Sequence, residues 1–109
     1  MVMIRRMKLV IYSPVASTPK ILETLGNAQA GHIGKYAQCT FTLRGTGRFL
    51  PLAGANPAIG EVGKLEEVIE DRIETVCELD QVKNVIAAVK LVHPYEEPAI
   101  DVYPIEIIE

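Results

Sequence analysis

Histidine and cysteine are scarce in this chain: its 109 residues include only His32, His93, Cys39 and Cys77 of these types. Neither cysteine belongs to a Cys-x-x-Cys pair, which excludes a zinc ribbon. They lie far apart in apolar, strand-like contexts and read as buried free thiols of a reducing cytoplasm. Positive charge is not in excess either. The net charge is −3, whereas a nucleic-acid binder carries a basic face. No run of about 20 apolar residues exists, so no membrane-spanning helix is expected. The N-terminal Met-Val-Met-Ile-Arg-Arg-Met has no long apolar stretch leading to a cleavage site, so cytoplasmic rather than secreted protein is expected. Walker A and dinucleotide fingerprints are missing. No nucleophile–base set can be assembled. Cys39 falls within a strand-like run, and Ser13, Ser17 and Thr18 sit at a strand end or helix start, where hydroxyls bond locally.

What is present is an ordinary globular composition, 49% hydrophobic and 23% charged, with enough chain for one core in one domain. Residues 8–13 form a β-branched apolar run closed by Pro14, a first strand. Ser17-Thr18-Pro19 gives a hydroxyl cap and a first-turn proline. Ile21, Leu22, Leu25 and Ala28 follow at helical spacing. Ala37, Cys39, Phe41 and Leu43 alternate with polar residues and read as the buried face of a second strand. Arg44-Gly45-Thr46-Gly47-Arg48 breaks that pattern as a turn, and residues 49–63 form a long loop, a length that is often functional.

The segment from Leu65 to Cys77 fits helical periodicity, yet its C-terminal half is β-branched. Topology decides for a strand over about 67–78, because a helix would leave the 37–43 strand without a partner. The acidic run Glu66, Glu67, Glu70, Asp71 reads as a solvated edge. Asp80 is the expected cap of a second helix carrying Val82, Val85, Ile86 and Val89 inward. The last strand spans 99–108, with Pro104 marking an edge or a bulge. The order β-α-β-β-α-β predicts an α+β ferredoxin-like βαββαβ two-layer sandwich.

Between the second helix and the last strand lies His93-Pro94-Tyr95-Glu96-Glu97-Pro98. Two prolines stiffen a short loop that carries an imidazole, a phenol and two carboxylates. His93, Glu96 and Glu97, with His32 as a second segment, are candidate ligands for a divalent metal. In the competing and preferred structural reading, His93 caps the helix and the glutamates bond to loop amides. Gly31, His32 and Gly34, together with Arg44, Gly45, Gly47 and Arg48, could cradle an anionic ligand, with Tyr95 beside it. The alternative is a set of turn glycines at positive φ.

Several blocks carry a further signal: Gly31-His32-Ile33-Gly34-Lys35-Tyr36, Cys39-Thr40-Phe41, Arg44-Gly45-Thr46-Gly47-Arg48-Phe49, Gly54-Ala55-Asn56-Pro57, Gly63-Lys64-Leu65-Glu66, and His93 to Ala99. In this order they resemble the domain inserted in many bacterial Nif3-like proteins (NGG1-interacting-factor, type 2 GTP cyclohydrolase I), from about residue 7 to 107. The resemblance implies a stand-alone PII/CutA-like domain over 7–109, preceded by a short extension over 1–6. It also implies a homotrimer and a Nif3-like protein as partner. The enclosing Nif3-like domain holds its metal pair on histidines and carboxylates of a longer chain, a framework for which His32 and His93 do not suffice. The expected function is therefore a non-enzymatic oligomeric module that binds a small ligand or metal and has a regulatory role. A small metal-assisted hydrolase using the His93–Pro98 loop and a purely structural trimerisation unit are the alternatives.

Overall fold

The computed structural model describes residues 3–108. Strand β1 (Met3–Pro14) runs through a 3-10 turn into helix α1 (Thr18–Asn27). Strands β2 (Thr40–Phe49) and β3 (Glu66–Cys77) form a long hairpin joined by a 16-residue loop over 50–65. A second 3-10 turn leads into helix α2 (Val82–Val92), and strand β4 (Ile100–Ile108) closes the chain. The four strands lie in the order β2-β3-β1-β4, and every neighbouring pair is antiparallel. This is the expected split βαββαβ sandwich, with both helices on one face of the sheet.

Period-2 alternation decides what each face carries. Leu9 and Ile11 of β1 and Ile73 and Cys77 of β3 point toward the helices. There they meet Ile21 and Leu25 of α1 and Val85 and Val89 of α2, all fully buried. Ile100 and Val102 of β4 pack at the margin. Truncating a residue such as Ile21 to alanine would cost about 2–5 kcal/mol, because this core is a single cluster that cannot collapse around a void.

The ambiguous segment is a strand from Glu66 to Cys77, paired with β1 from Glu70 to Cys77 and with β2 from Glu66 to Thr75. Tertiary pairing on both sides overrides its helical periodicity. Pro104 lies in β4, an edge strand of the sheet, where its missing N–H costs no ladder bond on the open side.

Several sequence expectations need correcting. The first strand begins at Met3, not Lys8, since residues 3–6 continue β1 and pair with β4. The second strand runs from Thr40 through Arg48 to Phe49, so Arg44–Arg48 is not a turn. Gly45 and Gly47 are absent from the positive-φ glycines, among which Gly31 and Gly34 do appear. Phe41 and Leu43 are not core: they are 64% and 58% exposed on the face away from the helices. Their alternation was read correctly, but the apolar side of β2 faces outward.

Asp71 is not part of a solvated edge. It is buried, accepting from the Thr18 hydroxyl at 2.7 Å and from Arg44 Nε at 3.1 Å. The hydroxyl that ties down the start of α1 is thus Thr18's, whereas Ser17 makes no capping bond. Before α2 the capping box belongs to Glu78 and Gln81 rather than to Asp80.

Candidate functional site

The His93–Pro98 loop is held from both ends. His93 closes α2, its N–H donating to Val89 O at 2.9 Å. Its ring turns toward the sheet: Nε2 lies 2.7 Å from Tyr12 O, and Nδ1 accepts the Tyr95 N–H at 3.1 Å. A carbonyl partner at Nε2 and a donor at Nδ1 fix the neutral tautomer with the proton on Nε2. The Tyr12 N–H bonds to Ala99 O at 3.2 Å on the same edge. His93 therefore extends the β1–β4 ladder by one side-chain bond. The ring ties two segments together and makes no helix-cap contact through its nitrogens, both of which are already engaged.

Tyr95 then reaches back over the hairpin. Its hydroxyl donates to Glu70 Oε2 at 2.7 Å, and its ring lies 5.0 Å from that of His93 and 6.1 Å from that of Phe49. Burial, followed by the bond to the Glu70 carboxylate, pushes the Tyr95 phenol well above its ordinary range. Glu70 can take this pose because residue 47 is glycine. A Cβ there would collide with the Glu70 carboxylate. Glu96 makes the second tie, accepting the Asn56 N–H at 3.1 Å and so fastening the 50–65 loop to the Tyr95 loop.

Between these ties lies a pocket of about 380 Å³. Its walls are Phe49, Leu50, Pro51, Pro57 and Ile59 from the hairpin side, with Tyr95, Glu96 and Glu97 facing them and Glu70 at the sheet. The volume falls in the ordinary range for small-ligand sites of about 300–1,000 Å³. Sequence reasoning named Tyr95, Glu96, Glu97 and Arg48 but missed Glu70 and Phe49. Gly47 was chosen for an anion cradle, and its actual role is to make room for a carboxylate.

The remaining candidates lie elsewhere. Gly31, with φ +87°, sits where a Cβ would meet Cys39 N at 2.7 Å, and its N–H donates to Val76 O at 2.7 Å. It anchors the loop after α1 to the far end of β3. His32 is exposed, its ring against Gln29 and its carbonyl accepting from Arg6. Arg6 and Tyr12 are separated by about 20 Å of strand, so His32 and His93 stand at opposite ends of β1. Among the described residues, no group of three or more His, Cys, Asp or Glu side chains is placed to hold a metal ion. Gly34 lies in the exposed turn closed by Ile33 and Tyr36. Arg44 is taken by Asp71 and Arg48 by Glu67, so the two arginines and the Gly31–Gly34 turn do not converge on one ligand.

No protein-family model matches the chain. The chain is 52% identical over 99 residues to the GTP cyclohydrolase 1 type 2 homolog of Bacillus subtilis, covering 91% of this chain and 26% of that protein. The counterpart in Halalkalibacterium halodurans is 51% identical over 98 residues. In a crystal structure, a Bacillus cereus protein related to NIF3 superposes with a TM-score of 0.82 at 42% identity, over 96% of this chain and 27% of that one. The chain is homologous to one segment of the Nif3-like proteins. It spans about a quarter of the length of these Nif3-like relatives. The same fold recurs in the periplasmic divalent cation tolerance protein CutA from Archaeoglobus fulgidus, with a TM-score of 0.66 at 20% identity over 94% of this chain and 84% of that one. This chain thus has a PII/CutA-like fold. None of its described helices is long and apolar enough to cross a membrane.

Proposed function

We propose that the chain is a non-enzymatic, homo-oligomeric PII/CutA-like module, a trimer, that binds a small ligand in the pocket beneath Tyr95 and regulates a partner through it. The observation that carries this reading is the pair of ties, Tyr95 to Glu70 and Glu96 to Asn56, that holds open a pocket between two loops. A loop that served only as a connector would be filled by its own side chains. A ligand that bridges the same two loops would couple occupancy to the position of the 50–65 loop, which is what a regulatory module requires. The partner in this reading is a Nif3-like protein, because the homologous segment occurs within longer Nif3-like chains.

The oligomer is supported by the sheet face away from the helices. Phe41, Leu43 and Tyr103 stand 64%, 58% and 42% exposed there, on both sides of the sheet's centre. An apolar surface of this kind is what an obligate interface buries. The free thiols Cys39 and Cys77 support a reducing compartment, the cytoplasm.

Two measurements test the proposal. Light scattering on the purified protein is expected to give three times the chain mass; a monomer or dimer would overturn the trimer. A thermal-shift panel of nucleotides, amines, carboxylates and divalent metals is expected to stabilise the protein, by about 2.7 kcal/mol at a hundredfold excess over Kd. The effect should vanish in Ala58→Trp, which fills the pocket from an exposed position. Stabilisation that survives Ala58→Trp would place the ligand elsewhere.

A further inference from the structure

The walls of the Tyr95 pocket are unequal in charge. Glu70, Glu96 and Glu97 line it, and Arg48 is the cationic side chain among its lining residues. Arg48 is already paired: its Nε lies 3.3 Å from Oε1 of Glu67, which is not one of the lining residues. Glu70 is met by a phenol, which supplies a hydrogen bond but no charge. Glu96 is met by a backbone amide, again without charge. Among the described residues, Glu97 has neither a hydrogen bond nor an ion pair. Among the described residues, then, none of the three carboxylates is held in an ion pair.

The second feature is aromatic. Phe49 and Tyr95 stand tilted at 57° with centroids 6.1 Å apart, so ring faces and edges border the space that the carboxylates approach. Ring faces attract cations through their quadrupole, more strongly where water is partly excluded. Leu50, Pro51 and Ile59 complete an apolar wall suited to a hydrocarbon body.

We propose that this pocket takes a small organic cation, a primary amine or guanidinium carried on an aromatic or aliphatic body. The inference rests on the ligand-binding reading above and gives that ligand its chemical class. Glu70 is the anchor. The β2–β3 register sets it opposite Gly45 and diagonal to Gly47, whose missing Cβ lets its carboxylate lie across the strand, and Tyr95 fixes one oxygen. The ammonium sits against Glu70 with Glu97 as the second charge, and the body packs between Phe49 and Ile59. An anionic ligand would meet three carboxylates, and is rejected by their like charge.

The test uses three probes of one shape: phenethylamine, the neutral phenethyl alcohol and the anionic 3-phenylpropionate. Each is titrated into the whole protein and followed by two-dimensional amide NMR at Phe49, Ile59, Tyr95 and Glu96. The expected result is that the amine binds at these amides about tenfold or more tightly than the alcohol, and that the acid does not bind. Glu70→Gln keeps an acceptor for Tyr95 and should weaken the amine about tenfold while leaving the alcohol unchanged. Glu97→Gln, at an exposed position, should weaken the amine to a lesser degree and serves if Glu70→Gln is poorly folded, which the spectrum itself reports. Binding of the alcohol or acid at the pocket amides as tight as that of the amine would overturn the cation assignment and leave the ligand-binding reading standing. No shift at the pocket amides with any probe would overturn both.

Discussion

Tyr95 donates its hydroxyl to Glu70 Oε2 at 2.7 Å, joining residues 25 apart in sequence and locking the loop after α2 onto the middle of β3. The bond is charge-assisted and partly buried, so it stabilises more than a neutral pair would. It is the contact on which the pocket is built.

Tyr95→Phe should therefore lower stability by about 1–2 kcal/mol, read from urea unfolding. The wild-type phenol carries a pH signature as well. Its folded pKa is raised, so it adds stability below the ordinary tyrosine value near about pH 10 and loses that contribution as pH rises above it. Ultraviolet titration should show the Tyr95 phenol still protonated where an ordinary phenol has ionised. Four tyrosines ionising together near pH 10, in a folded protein, would contradict the geometry.

Gly47→Ala should cost about as much as Tyr95→Phe. The new Cβ displaces the flexible end of Glu70 and not the backbone, so what is lost is the bond to Tyr95. The two substitutions should then be strongly non-additive, with a coupling of about 1 kcal/mol in a double-mutant cycle. Additive costs would mean that Glu70 finds Tyr95 by another route.

Asp71 should control the acid limb of stability. The Arg44 bond, and next the Thr18 hydroxyl, hold its carboxyl below the usual range, against the opposing effect of burial. A depressed folded pKa contributes stability above the unfolded value near about pH 4, and that contribution is lost as pH falls through the folded one. Asp71→Asn should lower stability at neutral pH by about 1–3 kcal/mol and flatten the fall in stability below about pH 4. A variant with an unchanged acid limb would remove Asp71 from this role.

His93→Ala should destabilise by about 2–3 kcal/mol, since Tyr12 O and the Tyr95 N–H both lose their partner in a buried place. The loss should be the same with a chelator or with added zinc. A zinc-dependent rise in wild-type melting temperature that His93→Ala abolishes would show the ring serving a metal instead.

Much of this molecule was legible in the sequence through periodicity. Ile21 and Leu25 at helical spacing, and Val85 and Val89 likewise, announced the two helices and the faces they bury. Residues 65–77 show where period alone fails. Their spacing suits a helix, and only the need to pair β2 on one side and β1 on the other makes them a strand. Phe41 and Leu43 show a different limit: alternation reveals that a strand has an apolar side but not which way that side faces.

The His93–Pro98 block announced itself by composition, and its prolines made a stiff loop foreseeable. Its partners could not be read in the same way. Nothing local to Glu70 distinguishes it from Glu66 or Glu67, and nothing local to Asp71 marks it for burial. Their fates are set by the β2–β3 register, which turns Glu70 toward Gly47 and Tyr95 on one face and Asp71 toward Arg44 and Thr18 on the other.

Sequence by itself determined the element order, the two-layer α+β architecture and the core stripes of both helices, because 3.6- and 2-residue periods are local properties of the chain. Tertiary structure alone decided which carboxylate is buried, what the glycine at 47 makes room for, and that His93 joins β1 and not His32. Those outcomes depend on strand register and on contacts between residues 23 to 81 positions apart, and no local pattern encodes such distances.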